Sequence, residues 1–100
     1  MSDKATLTWQ EKDACFVIEG PLAFSTVVSL WERGNNLLKN KPSITIDLKA
    51  VTHSDSAGLA LLVAWMREAR VANVGLRFID LPTQLCAMAK VCGLEAILPI

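Results

Sequence analysis

The apolar residues of this chain recur with two different periods, and the order in which those periods alternate constrains the fold more than any other feature. Ala5-Thr6-Leu7-Thr8-Trp9 alternates polar with apolar, the period-two pattern of a half-buried strand. Glu11-Lys12-Asp13 reads as a charged turn and Ala14-Cys15-Phe16-Val17-Ile18 as the returning strand of a hairpin. Gly20-Pro21 then punctuates the chain, and Pro suits the first turn of a helix. Ala23, Val27, Leu30, Leu37 and Leu38 recur at helical spacing and predict a first helix from Leu22 to about Lys39, ended by Asn40-Lys41-Pro42. Ser43-Ile44-Thr45-Ile46-Asp47-Leu48 alternates again as a third strand. A second helix is predicted from Asp55 or Ser56 to about Val71. Asn73-Val74-Gly75 then turns into a strand at Leu76-Arg77-Phe78-Ile79. Pro82 opens a third helix, and Gly93 is placed as its stop.

The resulting order is β-β-α-β-α-β-α. Strands separated by helices of this length imply crossover connections, hence an α/β fold: a mixed four-stranded β-sheet with three α-helices packed against it. The whole chain, 1–100, reads as one domain, since no linker, repeat or low-complexity segment divides it. At 52% hydrophobic and 20% charged residues it has the composition of a globular domain, not a disordered tail. A chain of this size buries roughly 60–70% of its unfolded surface, enough for one core without disulfides or metal.

Charge and composition exclude several classes of function. Ten basic residues balance ten acidic ones with no basic stripe, which argues against nucleic acid as a partner. The opening MSDKATLTWQ lacks the apolar core of a signal peptide. The longest uncharged apolar run, Ala57 to Met66, is about half the ~20 residues of a membrane span. A soluble cytoplasmic protein without direct membrane insertion is expected. Cys15, Cys86 and Cys92 are odd in number and lack paired metal-ligand spacing, so reduced buried thiols are expected, with no metal and no cofactor.

The stretch THSDSAGLALLVAW, residues 52–65, changes abruptly from small polar side chains to a nearly unbroken apolar run. Asp55 and Ser56 both favour a helix N-cap. Capping uses one of them and leaves Thr52, His53, Ser54 and the other unexplained. Gly58 lies in the first turn, where Gly costs up to ~1 kcal/mol against Ala, and a backbone approached closely by something else would account for it. A helix start also favours anions, so a phosphate on Ser56 would fit electrostatically. Behind it, Leu59, Leu62, Val63 and Met66 form the core-facing stripe, while Leu61 and Trp65 share another face with Ala57, Ala60 and Ala64. Either neighbouring helices or another protein must cover that second face. Trp31, with Phe24 and Val28, repeats the pattern of an apolar flank beside the core stripe of the first helix.

His53, Asp55 and Ser56 superficially supply a Ser/His/Asp set, but their order and immediate adjacency do not match a working triad, which also needs an oxyanion hole and a cleft. Gly75 and Gly93 are isolated, so no phosphate loop is present. A catalytic role is not expected, and the single histidine reads as a solvated loop residue.

The strand Ile44–Leu48, the turn Ser54-Asp55-Ser56-Ala57-Gly58-Leu59 and the apolar helix behind it resemble the STAS domain (sulphate transporter and anti-sigma-factor antagonist), a resemblance covering nearly the whole chain. Family members share Asp-Ser/Thr-x-Gly-Leu after a strand, and the residue after the Asp, here Ser56, is the regulatory position. Leu30-Trp31-Glu32, Gly58-Leu59-Ala60-Leu61-Leu62 and Ala89-Lys90 are most similar to the cytoplasmic STAS subunits of Mla (maintenance of lipid asymmetry) phospholipid ABC transporters of Gram-negative bacteria. The resemblance implies a non-catalytic subunit, peripheral to the inner membrane, that binds and supports the transporter's ATPase beneath a membrane permease. The implied partner surface is the second helix and its N-terminal turn: His53, Asp55, Ser56, Ala57, Ala60, Leu61, Ala64 and Trp65, with Trp31 beside them. The family's alternative is an anti-sigma factor antagonist switched by phosphorylation of Ser56, although Ala57 departs from the Asp-Ser-Ser/Thr-Gly of that branch.

Overall fold

The computed structural model describes residues 4–94 and residue 98, and in them the expected order of four strands and three helices is present. Strand β1 (Thr6–Gln10) pairs antiparallel with β2 (Cys15–Leu22). Strand β3 (Ser43–Ser54) pairs parallel with β2 on one side and with β4 (Gly75–Ile79) on the other, giving the sheet order β1-β2-β3-β4. Helices α1 (Val27–Asn40) and α2 (Ser56–Ala72) are the crossovers of the two parallel pairs, and α3 (Thr83–Val91) packs beside α2. Both crossovers step in the same direction across the sheet. A common hand therefore places α1 and α2 side by side on one face, running parallel to each other.

Alternation decides what that face contains. Phe16, Ile18, Ile44, Ile46, Leu48, Leu76 and Phe78 point into a single core with Leu30 of α1, Leu59 and Leu62 of α2 and Leu85 of α3. The intervening residues, such as Thr45, Asp47 and Arg77, point to the uncovered face. Trp9, half exposed at the rim, meets Phe16 edge-on with centroids 5.0 Å apart beneath Lys41 Nζ.

Three boundaries differ from the expectation. The first helix does not begin at Leu22: β2 continues to Leu22, and α1 starts only at Val27. Gly20 adopts a positive φ of 105°, and the ladder to β3 shifts register between Gly20 and Leu22, so Pro21 sits at an irregularity where its missing N–H is tolerated. The helix then waits for a turn closed by Thr26, whose buried hydroxyl accepts from Ala23 N–H at 3.1 Å and donates to Pro21 O at 2.8 Å. Strand β3 runs on past Leu48 to Ser54, so His53 is exposed at a strand end, not in a loop. Of the cysteines, Cys15 is buried, Cys86 partly buried and Cys92 exposed, because the last two lie towards the outer side of α3 and its C-cap.

The part of the second apolar face of α2 that carries Trp65 is covered by α1, and this corrects the assignment of Trp65 to a partner surface. Trp65 is 1% exposed and Leu61 is also buried. The Trp65 indole lies on Gly34 of α1, where any Cβ would overlap the ring, so the two helices approach through that notch. Burying a Trp removes about 150–250 Å² from water, on the order of 5 kcal/mol at about 25 cal/mol/Å². That is an upper figure, because the indole N–H finds no acceptor.

Candidate partner-binding site

The N-terminal ends of α1 and α2 meet at the edge of the sheet where the parallel strands β2 and β3 finish, and one side chain ties that junction together. Asp55, the N-cap of α2, accepts the N–H groups of Ala57 (2.9 Å) and Gly58 (3.2 Å) with Oδ1 and the N–H of Phe24 (3.2 Å) with Oδ2. Asp55 N–H in turn donates to Leu22 O. These bonds, the one from Phe24 foremost, hold the Asp55 carboxyl below its ordinary range against the opposing effect of burial. Gly58 is explained here as well. A Cβ on it would overlap the Leu22 carbonyl oxygen and lie 2.9 Å from Leu22 Cγ. The close approach expected at Gly58 is therefore made by β2 of the same chain.

Beside this junction, between the first turns of the two helices, lies a shallow groove of about 390 Å³, lined by Phe24, Val27, Val28 and Trp31 on one side and Ala57, Ala60, Leu61 and Ala64 on the other. Phe24 is 83% and Val28 70% exposed, so two large apolar side chains stand in solvent at its mouth. Ser56 is exposed at the first position of α2, and His53 is exposed just before it. Of the residues assigned from the sequence, Ala57, Ala60, Leu61, Ala64 and Trp31 come together as groove lining, with His53, Asp55 and Ser56 at its end. Trp65 does not, because it lies under α1. The sequence assignment lacked Phe24, Val27 and Val28 as site residues. In the sequence Phe24 and Val28 read as an apolar flank and Val27 as part of the core stripe. Their signal in the sequence is the helical spacing of Phe24, Val28 and Trp31 off the Ala23, Val27 and Leu30 stripe.

Both Asp55 oxygens are committed to backbone N–H groups and do not orient His53 as a base. Ser54 Oγ is buried without a partner. The N–H groups of Ala57 and Gly58, which a bound anion would use, are already taken by Asp55. On the uncovered sheet face, Asp47 is buried and accepts from Lys49 N–H at 2.8 Å, with Lys49 Nζ 3.4 Å from its other oxygen. Burial, followed by the nearby Asp47 charge, pushes the Cys15 thiol up, which keeps it un-ionised at neutral pH. Among the described residues no group of three or more His, Cys, Asp or Glu could hold a metal ion, and no helix is long and apolar enough to cross a membrane.

Comparison with known proteins agrees with this geometry. Residues 5–99 match the family model described as "Mlab, STAS domain". The chain is 32% identical over 80 residues, 76% of each protein, to the intermembrane phospholipid transport system binding protein MlaB of Haemophilus influenzae. Among solved structures, it superposes on the phosphorylated form of SpoIIAA, a Bacillus cell fate determinant, with a TM-score of 0.69 at 16% identity, covering 94% of this chain and 87% of that one. On the unphosphorylated form, an anti-sigma factor antagonist, the TM-score is 0.61 at 20% identity, covering 87% and 79%. On the murine Slc26a9 anion transporter it is 0.67 at 11% identity, where 96% of this chain matches 19% of that one. These structural likenesses establish the shared fold, and with the match over nearly its whole length the chain belongs to the MlaB branch of the STAS-domain family.

Proposed function

We propose that this protein is a non-catalytic subunit of an Mla-type phospholipid transport system that docks, through the α1/α2 groove and the start of α2, onto the ATPase subunit of that ABC transporter. In this reading it is cytoplasmic, carries no cofactor, and is held at the inner membrane through the ATPase and its permease. The relative's role in intermembrane phospholipid transport supports the system. The observation that carries the docking surface is the pair Phe24 and Val28, 83% and 70% exposed beside the small side chains of Ala57, Ala60 and Ala64. A large apolar side chain next to a shallow apolar recess is the arrangement of an interface anchor and its surrounding pocket. The exposed Ser56 puts a small polar group at the end of that surface, where a long charged side chain would have to be desolvated.

The experiment is co-purification of the ATPase and permease with the tagged protein from its host, together with outer-membrane permeability and detergent sensitivity of the cells. Ser56→Glu and Ser56→Arg should lose the ATPase and sensitise the cells, whereas Ser56→Ala should be mild. Normal assembly with Glu and severe loss with Ala would refute the contact role.

The alternative, an anti-sigma factor antagonist switched at Ser56, draws support from the exposure of that hydroxyl and from the fold shared with SpoIIAA. Against it, a phosphate on Ser56 would add about −1.5 to −2 charges beside the ionised Asp55, with the Ala57 and Gly58 N–H groups already engaged. Capture of a kinase-like anti-sigma factor in place of the ATPase, with a phosphoserine at Ser56, would select the alternative.

A further inference from the structure

We infer that Asp55 acts on the docking partner through Phe24: it is a positioning residue that locks the exposed Phe24 turn of α1 to the first turn of α2 and so sets the mouth of the groove. The inference rests on the reading of the groove as the ATPase-docking surface. The two walls of the groove belong to different crossovers, and at this end the Asp55 side chain adds to the Asp55–Leu22 backbone bond a link that reaches the Phe24 turn itself. Oδ1 of Asp55 caps α2 through Ala57 and Gly58, and Oδ2 reaches 31 residues back along the chain to Phe24 N–H. Phe24 lies in the turn before α1 with its ring in solvent, so its own side chain contributes little to holding it. Its backbone is held instead, by Asp55 on the α2 side and by the Thr26-closed turn on the other. An exposed aromatic on a pinned backbone loses less conformational freedom on docking than one on a mobile loop, and this is what preorganisation contributes to affinity. Asp55 therefore needs no contact of its own with the partner.

Its two oxygens make the inference separable from simple helix capping. Asn caps helices as well as Asp, and in Asp55→Asn the remaining carbonyl oxygen still serves Ala57 and Gly58. The amide nitrogen, a donor, then faces the Phe24 N–H, also a donor, and only the bond to Phe24 is lost. In full-length protein labelled with 15N, the Phe24 amide should follow the ionisation of Asp55 in the wild type. In Asp55→Asn that titration should vanish and Phe24 hydrogen exchange should quicken by about tenfold or more, while Ala57 and Gly58 stay protected. An unchanged Phe24 amide would overturn the inference whatever the partner does.

The second arm measures affinity for the purified ATPase subunit of the host's Mla-type transporter in a double-mutant cycle. Phe24→Ala should weaken binding by about 30-fold, Asp55→Asn by about tenfold, and the double variant by no more than Phe24→Ala alone. Independent effects would multiply to about 300-fold, and that outcome would overturn the inference while leaving the docking surface standing. A wild-type protein that does not bind the ATPase would remove the docking surface and this inference together.

Discussion

The seam between α1 and α2 is filled where Trp65 meets Gly34 and open at the helix N-termini, although the same two helices build both regions. Two turns into the helices, the Trp65 ring fills the notch left by Gly34 and is almost fully buried. At their N-termini, Ala57, Ala60 and Ala64 face Phe24 and Val28 across unfilled space. Both regions are apolar, so hydrophobicity does not separate them; the pairing of sizes does. A large side chain against a glycine lets two helix backbones approach, whereas small side chains on one wall with the large ones turned to solvent leave a recess that only a second molecule can fill.

Substitution in the filled region should act on folding. Trp65→Ala is expected to cost about 3–5 kcal/mol in denaturant unfolding, and Trp65→Phe distinctly less, because removing the indole also removes a buried N–H that has no acceptor. A Trp65→Ala variant as stable as the wild type would show that this part of the seam is not filled in solution.

At the open end the same chemistry should act on binding. Ala60→Arg, at an exposed position in the groove, is expected to weaken ATPase capture by about 2 kcal/mol or more while changing folding stability by no more than about 0.5 kcal/mol. Thermal melts and pull-downs on the same preparation separate the two, and a Tm collapse without loss of capture would reverse the assignment.

The Asp55 junction, where the ends of both helices are held, should show up in acid. Its carboxyl is held below the ordinary value of 3.8, first by Phe24 N–H, so its stabilisation is complete above about pH 4 and is lost as pH falls through the lower folded value. Asp55→Ala should therefore cost about 1–2 kcal/mol at neutral pH, and the gap to wild type should narrow as pH falls through the lowered folded value. Urea melts across that range check it; a gap that persists at low pH would mean the loss comes from packing and not from the ionised cap. The smallest effect is expected at Ser56→Ala, about 1 kcal/mol or less in binding by titration calorimetry, since one exposed hydroxyl is removed.

Much of this architecture is legible without coordinates because it is encoded locally. The alternation in Ser43–Leu48 and the helical recurrence through Leu59, Leu62 and Val63 are properties of neighbouring residues, and Asp55 caps α2 through N–H groups only two and three residues ahead. The delayed start of α1 is less legible. Leu22 reads equally as the end of a strand or the beginning of a helix, and pairing with Ser54 on a strand more than 30 residues away chooses between them.

The chain on its own determined the β-β-α-β-α-β-α order, a cap at Asp55 or Ser56 and the fact that the first three turns of α2 are apolar nearly all round. Only the tertiary structure decided which of those apolar residues are covered. Leu61 and Trp65 lie four apart on the same stripe, yet Trp65 meets a glycine on α1 and disappears, while Leu61, also buried, borders the groove beside Ala57, Ala60 and Ala64. Gly58 likewise announces a close approach whose other party, Leu22 of β2, comes from a distant part of the chain. Periodicity records that a face avoids water; what covers the face depends on a helix 30 residues away and on the size of the side chain it brings to the contact.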